Sequence, residues 1–113
     1  MPYYLLQATY SAEARASMLS NPHNREPEVR QAIDGLDGSL EGFWFAFGEY
    51  DIAAIAQFPD NSRATAFALA VSATGAVSAT RITPLLTNDE ATAAMQHAAN
   101  VPYREPHHPD AGQ

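Results

Sequence analysis

Ser39–Asn61 reads SLEGFWFAFGEYDIAAIAQFPDN, and this stretch decides the fold. Two runs, Leu40–Phe47 and Ile52–Phe58, flank the short turn Gly48-Glu49-Tyr50-Asp51. The first run is dense in aromatics (Phe43, Trp44, Phe45, Phe47), and the second carries Ile52, Ile55 and Phe58. Aromatic and β-branched side chains suit a pleated, half-buried surface, and a glycine-led turn between two such runs predicts a β-hairpin. Gly48 is expected to supply a positive φ there. Pro59-Asp60-Asn61 then stops the second strand and offers side-chain oxygens to open a helix, with Asn61 or Ser62 expected as the cap.

Working outward, Pro2–Tyr10 alternates so that Tyr4, Leu6, Ala8 and Tyr10 form one apolar face, which predicts a first strand. Ser11 caps a helix over Ala12–Leu19, and a second helix over Pro27–Leu36 carries Val29, Ile33 and Leu36 on one stripe. Ser20–Arg25 separates the two. After the hairpin a helix runs to Thr74, its Ala64, Phe67, Ala68 and Val71 on one face, with Gly75 as its C-terminal stop. Ala76–Leu86 reads as a strand with Val77, Ala79, Arg81, Thr83 and Leu85 sharing a face, and Pro84 places it at a sheet edge. Thr87-Asn88-Asp89-Glu90 is a capping box that opens a last helix over Asn88–Ala99.

The predicted order is β, split α, β, β, α, β, α. It corresponds to an α+β, ferredoxin-like βαββαβ fold: an antiparallel four-stranded sheet with a split first helix on one face and an extra C-terminal helix. The other face of such a sheet would expose Tyr3, Leu5, Trp44 and one of Ile52 or Ile55. A patch of that size marks an interface. Two sheets packed face to face in a homodimer, a dimeric α+β barrel, are therefore expected.

Composition narrows the function. A chain of 113 residues forms one domain, expected over 1–103, with a Pro- and His-rich tail over 104–113 expected to be extended or flexible. Hydrophobic residues make up 46% and charged residues 17%, which indicates a globular chain. The net charge is −7 and all six basic residues are Arg, with no Arg cluster, so neither nucleic acid nor an anionic membrane is expected as a partner. The absence of cysteine removes disulfides, thiolate nucleophiles and Cys-based metal sites. No leader or spanning segment is read in the sequence, and a cytoplasmic location is expected. Phosphate loops, dinucleotide motifs and Ser–His–Asp signatures are missing, so no cofactor is expected.

Along most of its length the sequence resembles the GYD domain family. The residues that carry the resemblance include Phe45-Ala46-Phe47-Gly48-Glu49-Tyr50-Asp51, the Tyr-rich first strand ending at Tyr10, and Asn24-Arg25. It continues through Pro59-Asp60-Asn61, Ser72–Val77 and Leu85-Leu86-Thr87. The resemblance implies a dimeric, ferredoxin-like bacterial or archaeal protein and no established activity.

Several constellations are candidates for chemistry. Glu49, Tyr50 and Asp51 place two carboxylates and a phenol in one turn, although turn chemistry alone accounts for these residue types. In Asn21–Arg25, His23 is a candidate proton shuttle and Arg25 a candidate anion clamp; the plainer reading pairs Arg25 with Glu28 or Asp51. His97 reads as a surface residue. His107-His108 lacks a spaced partner, so no metal site is assigned. On the open sheet face, Gln7, Thr9, Trp44, Arg81 and Thr83 would line an aromatic cavity if the two sheets do not fill the interface. Against this, Arg81 pairing across the dimer with Asp51 or Glu41 would close the space.

The favoured function is a small oligomeric ligand-binding or regulatory domain using that open-face cavity. Its candidate ligand residues are Gln7, Thr9, Arg25, Trp44, Tyr50, Asp51, Arg81 and Thr83, and its partners are a second copy of the chain and a small molecule. The alternatives are a cofactor-independent monooxygenase or isomerase of the dimeric α+β barrel type, with His23 or Glu49 as the acid/base group, and a purely structural assembly module.

Overall fold

The computed structural model describes residues 1–106. Its elements are β1 (Tyr3–Tyr10), α1 (Ala12–Ser20), α2 (Glu26–Asp34), β2 (Ser39–Phe45), β3 (Ile52–Gln57), α3 (Asn61–Ala73), β4 (Val77–Leu85) and α4 (Asn88–Ala99). The four strands form one antiparallel sheet in the order β2-β3-β1-β4. This is the ferredoxin-like order, as the element sequence predicts.

Strand alternation divides the sheet cleanly. Tyr4, Leu6 and Tyr10 of β1 and Ile52, Ala54 and Ala56 of β3 are buried beneath the helices, where Leu40, Ile33, Phe58, Ala64 and Phe67 complete the core. Phe58 stacks between Tyr4, at 5.7 Å, and Phe67, at 6.0 Å. The open face carries Tyr3, Leu5, Gln7 and Thr9 opposite Gln57, Ile55 and Ala53 on one side, and Leu85, Thr83, Arg81 and Ala79 on the other. Ile52 thus belongs to the core and Ile55 to the open face.

Two irregularities set which side chains reach which face. In β2 the register shifts between Leu40 and Gly42, so that Glu41 is an extra residue. A bulge of this kind flips the alternation. Leu40 and Phe43 therefore both face the helices, while Gly42 and Trp44 share the open face. The Trp44 ring lies directly over Gly42, in the space a Cβ there would occupy. The second shift falls between Thr9 and Tyr10 and pairs Tyr10 with Val77. Val77 consequently leaves the face of Ala79, Arg81, Thr83 and Leu85, where strict alternation had placed it.

The helix boundaries follow local chemistry. Ser11 caps α1 through the Ala14 N–H, and Thr87 with Glu90 forms the full capping box of α4. The cap of α3 is Asp60, one residue before the expected Asn61, and its carboxylate accepts from the Arg63 N–H at 2.9 Å. Asn61 instead accepts the Tyr4 hydroxyl, 2.5 Å away, fastening α3 to the sheet. Gly75 stops α3 with a φ of 75°. The expectation for Gly48 fails: among the described residues the positive-φ positions are Gly75 and Asp37, and the turn closes by Asp51 instead. Its carbonyl accepts from the Ala46 N–H at 2.7 Å and its own N–H donates to Ala8 at 2.9 Å. β2 accordingly ends at Phe45, short of Phe47.

Candidate ligand site between the helices and the sheet

α2 packs over β2 and α3 over β4, at opposite edges of the sheet. The central strands β1 and β3 are left as the floor of a cleft between the two helices. Its volume is about 690 Å³. Leu6, Ala8, Ile52 and Ala54 form the floor, Val29, Ala32 and Leu36 one wall, Phe67, Ala68 and Val71 the other, and Phe43 and Ile82 the ends. The room comes from small side chains. Ala8 and Ala54 on the strands and Ala68 on α3 border the gap, and none of these side chains is long enough to reach across it. Arg25, Glu28 and Tyr10 also border the cleft.

A second, smaller hollow of about 240 Å³ adjoins it, lined by Tyr10, Met18, His23, Asn24, Arg25, Glu26, Phe43 and Phe45. Tyr10, Arg25 and Phe43 belong to both, so they form the partition between an apolar chamber and a polar vestibule. Tyr10 is 4% exposed and its ring lies 6.1 Å from that of Phe45. Burial pushes its phenol pKa above the usual value, while nearby Arg25 pulls it down and Asp51 adds to the rise.

Arg25 departs from its expected role. It makes no ion pair with Glu28 or Asp51, and its Nε is buried with no hydrogen-bond partner among the described residues. The two acids are engaged elsewhere. Glu28 lies 3.5 Å from His23 Nε2, and Asp51 Oδ2 accepts from Arg15 at 3.1 Å and from the Tyr10 N–H at 3.0 Å. Arg15 is thus the partner the sequence reading assigned to other arginines.

The remaining candidates are placed as follows. Gln7 and Arg81 sit opposite each other on the open face, with Thr83 beside Leu5 and Trp44 beside Ala53. Gln7 on β1 and Arg81 on β4 also border the cleft. Thr9 Oγ1 donates to the Glu49 carbonyl at 3.1 Å, tying the turn to the end of β1. Glu49 is exposed and Tyr50 half-buried. The geometry gathers Arg25 and Asp51 around Tyr10; Gln7, Trp44, Arg81 and Thr83 lie on the sheet face opposite the helices. His107 and His108 lie outside the described residues. Among the described residues, no three His, Asp or Glu side chains are grouped to hold a metal, and no helix is long and apolar enough to cross a membrane.

Tyr10 and the cleft walls were not singled out from sequence. The signal available was the alanine content of two facing elements, since paired alanines cannot fill the space that leucines would.

The model of the GYD domain matches residues 4–95, and the signature turn lies within that span. The chain belongs to the GYD domain family. In this GYD domain the Asp51 of the turn closes the hairpin, accepts the last N–H of β1 and holds Arg15. Among curated proteins none matches the sequence. Among solved structures the chain is similar to MtbAldR, with a TM-score of 0.55 and 15% identity over 77% of this chain and 52% of that one. It is also similar to FFRP-DM1, with a TM-score of 0.51 and 13% identity over 76% of this chain and all of that one. The chain thus spans about half the length of MtbAldR. At these identities the likeness concerns the fold.

Proposed function

We propose that this GYD domain is a small homo-oligomeric ligand-binding or regulatory domain. The observation that carries the reading is the apolar cleft of about 690 Å³ with a few polar groups at one end. Small-molecule sites of roughly 300–1,000 Å³ are built in this way. The open sheet face supports the oligomer. Trp44 is 57% exposed, and Tyr3, Leu5, Ile55 and Leu85 lie on the same surface. Pairing two such faces would enclose Gln7, Thr9, Arg81 and Thr83, and a second, inter-subunit ligand surface there belongs to the same proposal.

The catalytic alternative draws less support. His23 faces Glu28 in an exposed loop and Glu49 is exposed at the turn. Tyr10 is the group at the cleft whose pKa is displaced, and it is displaced toward the neutral phenol. A buried phenol held neutral suits hydrogen bonding to a ligand.

A thermal-denaturation screen tests the binding reading. Any compound that binds the folded state alone raises Tm, by an amount set by its concentration relative to Kd. A panel of small organic acids, bases and neutral apolar compounds should contain stabilisers. A flat response across the panel at millimolar concentration would contradict the proposal.

A further inference from the structure

We propose that the cleft between α2 and α3 is a binding site for an amphipathic carboxylate, with Arg25 and Tyr10 taking the carboxylate and the alanine-floored chamber taking the apolar body. The inference rests on the ligand-binding reading and assigns it a site and a ligand class.

The chain carries −7 overall, yet the charged side chains that border the chamber are Arg25, Arg81 and Glu28, two guanidiniums to one carboxylate. Within the folded body, Arg15, Arg30 and Arg63 each hold an acidic partner at 3.1, 3.1 and 2.8 Å. Neither Arg25 nor Arg81 holds one within 4.0 Å among the described residues, and of these two Arg25 borders both hollows. Glu28 is turned to His23 and Asp51 to Arg15. The Arg25 Nε is shielded from water with no acceptor among the described residues. A buried donor left in that state is costly, and a ligand acceptor would satisfy it.

A guanidinium presents a planar fork that matches a carboxylate in two parallel hydrogen bonds. Tyr10 borders both hollows with it, and burial raises its phenol pKa, so its hydroxyl is a donor for the same anion. The chamber behind Arg25 is walled by Leu6, Ile52, Phe67, Val71 and Ile82, a lining that offers dispersion and desolvation to an alkyl or aromatic body and little to a sugar or nucleotide. The vestibule on the other side of Arg25, with His23 and Asn24, gives the carboxylate its route to water.

Amide chemical shifts of the full-length chain, titrated with decanoate and with decanol as the uncharged probe of equal length, test this. The titrations are run on the wild type, on Arg25→Gln and on Ala68→Leu, which narrows the chamber from α3. The expected result is that decanoate shifts amides of β1, β3, α2 and α3 around the cleft and binds more tightly than decanol. Arg25→Gln weakens decanoate about tenfold or more, the scale of a lost charge-assisted pair, and leaves decanol unchanged. Ala68→Leu weakens both. If Arg25→Gln leaves decanoate binding intact, or decanol binds equally well, the carboxylate assignment is overturned while the binding domain stands. If shifts are confined to open-face residues that do not border the cleft, such as Trp44 and Thr83, the site is overturned and the binding domain again stands. If neither probe moves any amide, both readings fall.

Discussion

Tyr10 and Asp51 show how single residues connect the signature turn to the site. Asp51 accepts both the Tyr10 N–H and the Arg15 guanidinium, so its substitutions separate the two roles. Asp51→Asn keeps an oxygen for the Tyr10 N–H and loses the ion pair. Arg15 is half exposed, so screening limits that loss to under about 1 kcal/mol. Asp51→Ala also strands the backbone donor at the end of β1, and should cost about 1–2 kcal/mol more. Urea denaturation of the two variants reads the difference; equal midpoints would contradict the account of Asp51. Tyr10 supplies a pH dependence. Its folded pKa is raised, first by burial, so the folded state holds the proton more tightly than the unfolded chain. The associated stability is complete below about pH 10, the unfolded phenol value, and is lost as pH rises through the folded pKa. A spectrophotometric titration of wild type minus Tyr10→Phe should show one phenol ionising above the usual range.

At the scale of elements, the boundaries that the sequence made legible are those with local chemical causes. Thr87-x-x-Glu90 gave α4 its start, Gly75 gave α3 its stop, and the alternation of Pro2–Tyr10 gave β1 its two faces. What stayed hidden depends on pairing between distant segments. The bulge at Glu41 is visible only once β2 is laid against β3, and it alone explains why Leu40 and Trp44 face opposite ways. The shift at Thr9/Tyr10 likewise sends Val77 to the helix side. The cleft was illegible for the same reason: an alanine on α3 reads as core until the separation of α2 from α3 is known. The sequence pairs Arg25 with Glu28 or Asp51, whereas the fold turns Glu28 to His23 and brings Arg15 to Asp51. The capping box of α4 carries its own prediction. Hydrogen bonds from the Thr87 backbone and side chain hold the Glu90 pKa below its usual value. The stabilisation is therefore present above the unfolded glutamate pKa and is lost as pH falls through the folded one. The protection of α4 amides, measured relative to the intrinsic exchange rate at each pH, should fall on acidification in that window, and Thr87→Ala should produce the same fraying at neutral pH.

At the scale of the molecule, the single chain is more extended than its length requires. The Cα radius of gyration is 19.2 Å, against about 13 Å for a compact domain of this size. α4 accounts for part of this, since none of its residues is buried and Met95 is 65% exposed. Together with the open sheet face, α4 gives the chain two surfaces suited to a second copy. Trp44 is the expected anchor of the sheet contact, because large aromatics dominate such interfaces. Trp44→Ala should weaken self-association by about 2 kcal/mol or more in sedimentation equilibrium. An unchanged association constant would rule out the face-to-face arrangement. The central claim, an oligomer that holds a small molecule, is tested most directly by native mass spectrometry of protein freshly purified from cells, before and after denaturation. The account predicts a dimer or larger assembly whose mass exceeds that of its chains, with the surplus released on denaturation as a small organic compound. A monomer, or an assembly whose mass is that of the protein alone, would contradict it.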